Sequence, residues 1–317
     1  MAINFIKREE PQIRFLAVEK LNLLYNLFTT LLIIIFFNRL NDPQAMLLGR
    51  FFIAFATFAV IYVYTKFQSM ATRLLRVVSQ MALLSYWYPD TFEFNRIFPN
   101  LDYLFATLEF DLFGCQPAML FDQVCSEIFW REAFNMGYWL YYPMIALVSF
   151  YYFFCRPKEA ERCTFVIMAS FFLYYIIYIF LPVAGPQFYF PVIGEEIAAA
   201  GPYPELGDYF NLHPEITIAQ EGKGGLFTEL VGMAQGAGER PTAAFPSSHI
   251  GVTTILVMLA YRAKKWLFAV MFPVYVLLCC ATVYIKAHYL VDAIGGVITG
   301  VLFYMLTSWL YKKWFRE

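Results

Sequence analysis

Two of the chain's three histidines sit where a polar segment meets an apolar run, among residue types that suit phosphoryl transfer. One is His249, in Ala243-Ala244-Phe245-Pro246-Ser247-Ser248-His249; the other is His288, in Lys286-Ala287-His288-Tyr289-Leu290-Val291-Asp292. His288 and Asp292 are four apart at the start of an apolar stretch, so a helix stacks both side chains on one face. A carboxylate there accepts a proton from one imidazole nitrogen, fixes the tautomer and leaves the other nitrogen free to attack. A polar helix cap would carry the same two residues, so the pair alone is not decisive. Pro246, Ser247 and Ser248 mark a helix start. Such a start presents backbone N–H groups and a positive dipole end to an anion. The serine hydroxyls add donors, and His249 is placed to protonate a leaving oxygen. An ordinary capped helix also fits this motif; the two motifs together are far more specific.

The elements that position them are membrane spans. The chain is 60% hydrophobic, 20% aromatic and 15% charged, against about 25% charged for a soluble domain. One globular core cannot hide so much apolar surface, and a bilayer is its better solvent. A net charge of −1 argues against nucleic acid as a partner. The N-terminal stretch shows no signal-peptide cleavage pattern, so the first span is expected to anchor itself. Apolar runs able to cross about 30 Å of hydrocarbon fall near 22–38, 46–65, 136–155, 164–182, 265–285 and 289–311. Weaker runs are 74–88, which holds Arg76 and Gln80, and 249–261. The expected fold is therefore all-α, a polytopic membrane bundle of about eight spans, with amphipathic interfacial helices and a long outer loop. With the N-terminus inside, 16 of the 23 basic residues fall on the cytoplasmic side, as the positive-inside rule requires. Both termini are then cytoplasmic, and both histidine motifs face outward.

Residues 1–90 read as N-terminal spans. Residues 91–135 read as an interfacial segment, where Asp102, Glu109, Asp111, Asp122 and Glu127 alternate with Leu, Phe and Trp. Residues 136–317 form the catalytic bundle and include the outer loop 183–245, whose length marks it as functional. The six cysteines lack metal spacing, no metal-ligand cluster is visible, and no cofactor is called for. Cys115 and Cys125 share one segment and leave a disulfide open, which spacing alone does not decide. Gly222-Lys223-Gly224-Gly225 lacks the spacing of a P-loop and reads as a turn. Gly296-x3-Gly300 reads as close helix packing.

Pro-Ser-Ser-His followed by His-Tyr-x-x-Asp resembles the second and third motifs of the type 2 phosphatidic acid phosphatase superfamily, whose fold is shared with vanadium chloroperoxidases. The resemblance covers roughly 136–311. It implies that His288 forms a phosphohistidine, that Asp292 orients it and that His249 is the general acid. Two cationic clamps of that family are missing or relocated. Arg240-Pro241 matches the end of its first motif, but the lysine expected seven residues earlier is Met233. The Ser-Arg expected before the third-motif histidine is Ala281-Thr282. Arg240 and Lys286 are the available cations, although Glu239 could neutralise the first and snorkelling could occupy the second. These departures look like those of the inositol phosphorylceramide synthase and sphingomyelin synthase branch. Ala184-Gly185-Pro186-Gln187-Phe188-Tyr189 resembles that branch's Ala-Pro-Pro-Trp-Tyr element, and Leu112-Phe113-Gly114-Cys115-Gln116-Pro117 is similar to a segment of related bacterial proteins.

The expected site therefore holds His288, Asp292 and His249 as catalytic residues and Arg240, Ser247, Ser248 and Lys286 on phosphate. Gly185, Pro186, Gln187, Tyr189 and Tyr289 line the substrate pocket. The expected activity moves a phospho-head group, of the inositol phosphate type, from a phospholipid donor to ceramide or a similar lipid hydroxyl, without a metal. Water as acceptor would make the same site a lipid phosphate phosphatase. A transporter is the third alternative; it is disfavoured because the spans look nearly free of ionisable groups, which transporters place near the midplane.

Overall fold

The computed structural model describes residue 8, residues 14–213 and residues 224–315. Glu215, Glu221 and the Gly222-Lys223 half of the expected turn lie outside them. Among the described residues the regular elements are helices, and the all-α bundle expected from composition is the fold. The N-terminal helices are α1 (Ala17–Ile35), α2 (Pro43–Lys66), α3 (Met70–Ala82) and α4 (Leu84–Asn95). Next come α5 (Asp102–Phe113), α6 (Pro117–Val124), α7 (Ile128–Trp139) and α8 (Tyr141–Cys155). The hub is α9 (Pro157–Phe180), which packs against α1, α4, α8, α14 and α16. Its loop carries α10 (Pro186–Ile193), α11 (Glu195–Ala200), α12 (Tyr209–Leu212) and α13 (Leu226–Gly238). The chain ends with α14 (Ser248–Ala263), α15 (Lys265–Tyr284) and α16 (Leu290–Phe315).

Helices α1, α2, α9, α15 and α16 are long and apolar enough to cross a membrane, and α8 is a shorter apolar helix. The expected span at 74–88 is divided: α3 and α4 meet at Leu83, whose amide reaches back to Gln80. Its polar residues do not face solvent. Arg76 pairs with Glu19 of α1 at 2.7 Å, and Gln80 accepts from Asn22 at 2.9 Å. Arg50 of α2 and Asp90 of α4 form a second buried pair, 2.5 Å apart. The expectation of spans nearly free of ionisable groups is thus wrong for the N-terminal bundle. Each of these charges meets its opposite on a neighbouring helix, which offsets the cost of burying it.

Two of the five acids in the segment read as interfacial point inward. On α5, Asp102 and Glu109 are buried, while Leu104, Leu108 and Leu112 are exposed at successive i+4 positions. With Asp102 and Glu109 inward and a leucine stripe outward, α5 turns an apolar face to its open side, and Asp111 alone of its acids is exposed there. All six cysteines are free, so Cys115 and Cys125 are not joined.

Candidate active site

Glycines seat the two helices beside the histidines. A Cβ on Gly296 of α16 would lie 2.7 Å from the Ser247 carbonyl oxygen, and one on Gly300 would lie 2.6 Å from that of Gly251. The Gly296-x3-Gly300 pattern is therefore the seam that seats α14 on α16 and brings the two histidine segments together.

His288 is buried in the short connection between α15 and α16. Its Nδ1 lies 2.8 Å from the carbonyl oxygen of Ala244. A carbonyl only accepts, so Nδ1 carries the proton and Nε2 presents its lone pair. Ala244 is held in turn by its amide on Val183 at 2.9 Å. Ala243 (φ 71) and Lys286 (φ 62) lie in the left-handed region beside these two segments, a conformation that costs energy without glycine. Burial pushes the imidazole of His288 down to about 4, with the Ala244 hydrogen bond acting the other way.

Asp292 was expected to take that proton, and it does not. Its Oδ2 is 3.6 Å from Nδ1 and instead accepts from the Tyr289 amide at 2.8 Å. The first turn of α16 competes for the carboxylate at shorter range than the imidazole does. Asp292 therefore shapes the turn that carries His288.

The loops are held by acids that spacing did not single out. Asp102 accepts from the amides of Ala184 (2.6 Å) and Gly185 (2.8 Å), from Asn100 Nδ2 (2.6 Å) and from the Tyr289 hydroxyl (3.0 Å). Glu109, about two turns further along α5, accepts from the Val291 amide at 3.0 Å, and burial pushes its carboxyl up to about 7. Gly185 fits this clamp because it has φ 95 and a Cβ would lie 2.8 Å from the Ala287 carbonyl oxygen. The Gln187 amide completes it, donating to the Lys286 carbonyl at 2.8 Å.

His249 begins α14, with its ring stacked on Tyr138 at 4.8 Å and tilted against Tyr141 at 4.6 Å. The His249 and His288 ring centroids are 5.9 Å apart. Both rings line one narrow polar cavity with Tyr88, Gln187, Glu239, Arg240, Thr242 and Ser248. The helix start is less open to an anion than expected. Ser247 Oγ caps the Ile250 amide at 3.3 Å, and the Ser248 amide donates to the Tyr178 hydroxyl at 2.9 Å. Ser247 is a cap, and Ser248 reaches the cavity.

Arg240 lines the cavity and is not neutralised by its neighbour: Glu239 accepts from Gln187 Nε2 at 2.9 Å and from the Tyr138 hydroxyl at 3.2 Å. Lys286 is turned away to Asp122, 3.1 Å distant. Of the other expected pocket residues, Gln187 lines the cavity. Pro186 opens α10, Tyr189 donates to the Pro204 carbonyl at 2.6 Å, and Tyr289 is bound to Asp102, so these support the walls. Sequence reasoning missed Thr242 and used Glu239 only as a partner for Arg240. Thr242 is buried, and among the described residues its hydroxyl finds no partner although it borders the cavity.

Residues 105–306, well over half of the chain, match the family model described as the PAP2 superfamily. No curated protein and no solved structure matches. The matched region takes in Glu109, the α9–α14 loop and both histidine segments, and the chain belongs to the PAP2 superfamily of lipid phosphatases and phosphotransferases.

Proposed function

We propose that the chain is a membrane phosphotransferase that moves a phospho-head group from a phospholipid to ceramide or a similar lipid hydroxyl through a phosphohistidine. The observation that carries this is the pair of imidazoles on one cavity, 5.9 Å apart, with His288 Nδ1 committed to the Ala244 carbonyl. His288 Nε2 attacks phosphorus, forming the P–N bond as the P–O bond to the diacylglycerol breaks. His249 gives that oxygen its proton. In the second half His249 takes the proton of the acceptor hydroxyl, whose oxygen displaces His288. General acid help of this kind is worth about 10²–10⁴-fold. Arg240, Ser248 and Thr242 hold the charge on the phosphoryl oxygens, the main way proteins assist this transfer. Glu239 in the same cavity favours a diester: a carboxylate repels a dianionic monoester more than a monoanion. Basic residues gather at the helix ends remote from the histidines, which supports cytoplasmic termini and an outward-facing site.

Labelled phospholipid presented to the purified protein with and without ceramide tests this. Label in ceramide is the expected result. Label released only as water-soluble phosphate or phospho-alcohol, whether or not ceramide is present, would replace transfer by hydrolysis.

Two further outcomes check the assigned roles. His288 must be neutral to attack, and burial, against the opposing Ala244 hydrogen bond, holds its pKa near 4 in a setting it shares with Asp292 and His249. As pH falls, protonation removes the lone pair, so the acid limb of kcat/KM should lie near pH 4. A midpoint at the ordinary histidine value of about 6.5 would contradict a buried, neutral nucleophile. Thr242→Val should lower kcat/KM by about 10- to 100-fold, the worth of one donor on developing charge. Its melting temperature should hold or rise, because valine replaces a buried hydroxyl that lacks a partner. Full activity in that variant would remove Thr242 from the phosphate site.

A further inference from the structure

Helices α15 and α16 meet at the histidine end of the bundle, where the His288 connection joins them. Each packs along α14, but they scarcely touch each other, so they part towards their far ends. The glycine seam that closes α14 on α16 stops at Gly300. One turn beyond it a cavity of about 420 Å³ opens between the three helices, within the range of about 300–1,000 Å³ common for ligand sites. Its walls are Val257, Met258 and Tyr261 of α14, Phe268 of α15 and Tyr304 of α16, and Arg262 stands in its rim. The rings of Tyr261 and Phe268 are set edge to face, with centroids 5.3 Å apart, and Tyr261 is open to the outside. Arg262 lies near the end of α14 remote from His249, about 20 Å along the helix, so this cavity is no part of the histidine site. Its mouth is basic. Lys264 and Lys265 follow Arg262 at the turn into α15 and are exposed. Glu159 holds Arg262 Nε at 3.2 Å but is shared with Arg156 at 2.7 Å, so one carboxylate faces two guanidinium groups. Trp266 is exposed beside them, as aromatic residues are where hydrocarbon gives way to head groups.

We infer that this cavity binds an anionic phospholipid of the leaflet opposite the histidines, with one acyl chain against Tyr261, Phe268 and Tyr304 and the phosphate on Arg262, Lys264 and Lys265. The cavity divides as such a lipid does, into apolar walls and a rim with positive charge in excess. Basic pockets between spans select anionic head groups in this way, and Arg262 can run its aliphatic stem along the wall while its charge stays at the rim. A second copy of the chain fits worse. Related by an axis along the membrane normal, it would bring the same three cations to the same level, where like charges repel. A zwitterionic lipid would fill the groove and leave the cations unanswered. The lipid bridges α14, α15 and α16 at the end where no glycine seam joins them. Neither histidine takes part, so the site stands whichever acceptor the enzyme uses.

The full chain in nanodiscs tests this with a phosphatidylglycerol probe that carries a diazirine in one acyl chain. Irradiation followed by peptide mapping locates the lipid. Adducts should gather on residues 257–268 and on Tyr304, at least about tenfold above those from a phosphatidylcholine probe with the same chains. Arg262→Gln should cut labelling by the first probe about fivefold, the worth of one basic residue at a charged surface, and leave the second unchanged. Met258→Trp, which fills the groove without altering charge, should lower both. Added salt should weaken the first probe's labelling of the wild-type chain, so the outcome does not depend on any variant folding. Equal labelling by the two probes, or a preference that both Arg262→Gln and salt leave intact, would overturn the inference. So would adducts confined to the segments around His249 and His288, or a groove without adducts, the outcome if a second copy covers it.

Discussion

His288→Ala should lose label transfer by at least about 10⁴-fold, the scale on which removing a covalent nucleophile acts. The expectation follows from what the cavity offers in place of the ring. Among the described residues the alternatives in the cavity are poorer: the hydroxyl of Ser247 caps α14, Glu239 is occupied by Tyr138 and Gln187, and the hydroxyls of Ser248 and Thr242 are weak nucleophiles at their ordinary pKa. A head-group-labelled donor should leave acid-labile, alkali-stable label on the wild-type protein and none on the variant. His249→Ala should slow both half-reactions by about 10²–10⁴-fold while still admitting the covalent adduct, since it removes a proton donor and not the attacking atom. The two variants thus separate the histidines by kind of defect as well as size. Substantial transfer by His288→Ala, with an unchanged melting temperature, would remove the phosphohistidine from the mechanism.

What could be read from the residues divides along a physical line. Five of the eight expected runs form helices of span length, the Gly296–Gly300 pattern seats α14 on α16, and the two histidine rings come within 5.9 Å; these are local patterns. The errors concern groups whose partners are distant in sequence. Asp292 was paired with His288 because four residues separate them, yet the nearer amide of Tyr289 holds the carboxylate. Arg76 weakened the run 74–88 and Arg50 fell inside the run 46–65, and only Glu19 and Asp90, on other helices, account for them inside the bundle. Asp102 and Glu109 of α5 looked like the polar face of a surface helix because water is the usual solvent for a carboxylate. Their partners are backbone amides more than 80 residues away, and no spacing rule reports these. Thr242 and Glu239 belong to an irregular loop, where no period marks an inward-facing side chain.

Asp102→Ala should cost about 3–5 kcal/mol of stability, the range for stripping one partner from a buried, charge-assisted network. Four donors converge on this carboxylate, and alanine would leave the amides of Ala184 and Gly185, the Asn100 amide and the Tyr289 hydroxyl facing an empty, dry space. The functional loss should exceed the thermal one. Gly185 abuts Ala287, Tyr289 follows His288, and Ala244 is held on Val183, so one carboxylate fixes both sides of the His288–Ala244 hydrogen bond. Asp102→Asn is the sharper variant. Its single carbonyl oxygen cannot satisfy donors on both sides, and its amide nitrogen would face one of the backbone N–H groups. It should therefore fold with a smaller loss of stability, about 1–3 kcal/mol, and still lose most activity. Thermal unfolding and label transfer, measured on the same preparations, decide the matter. If Asp102→Ala melted with the wild type and transferred label at its rate, the loops around His288 would owe their geometry to something other than α5.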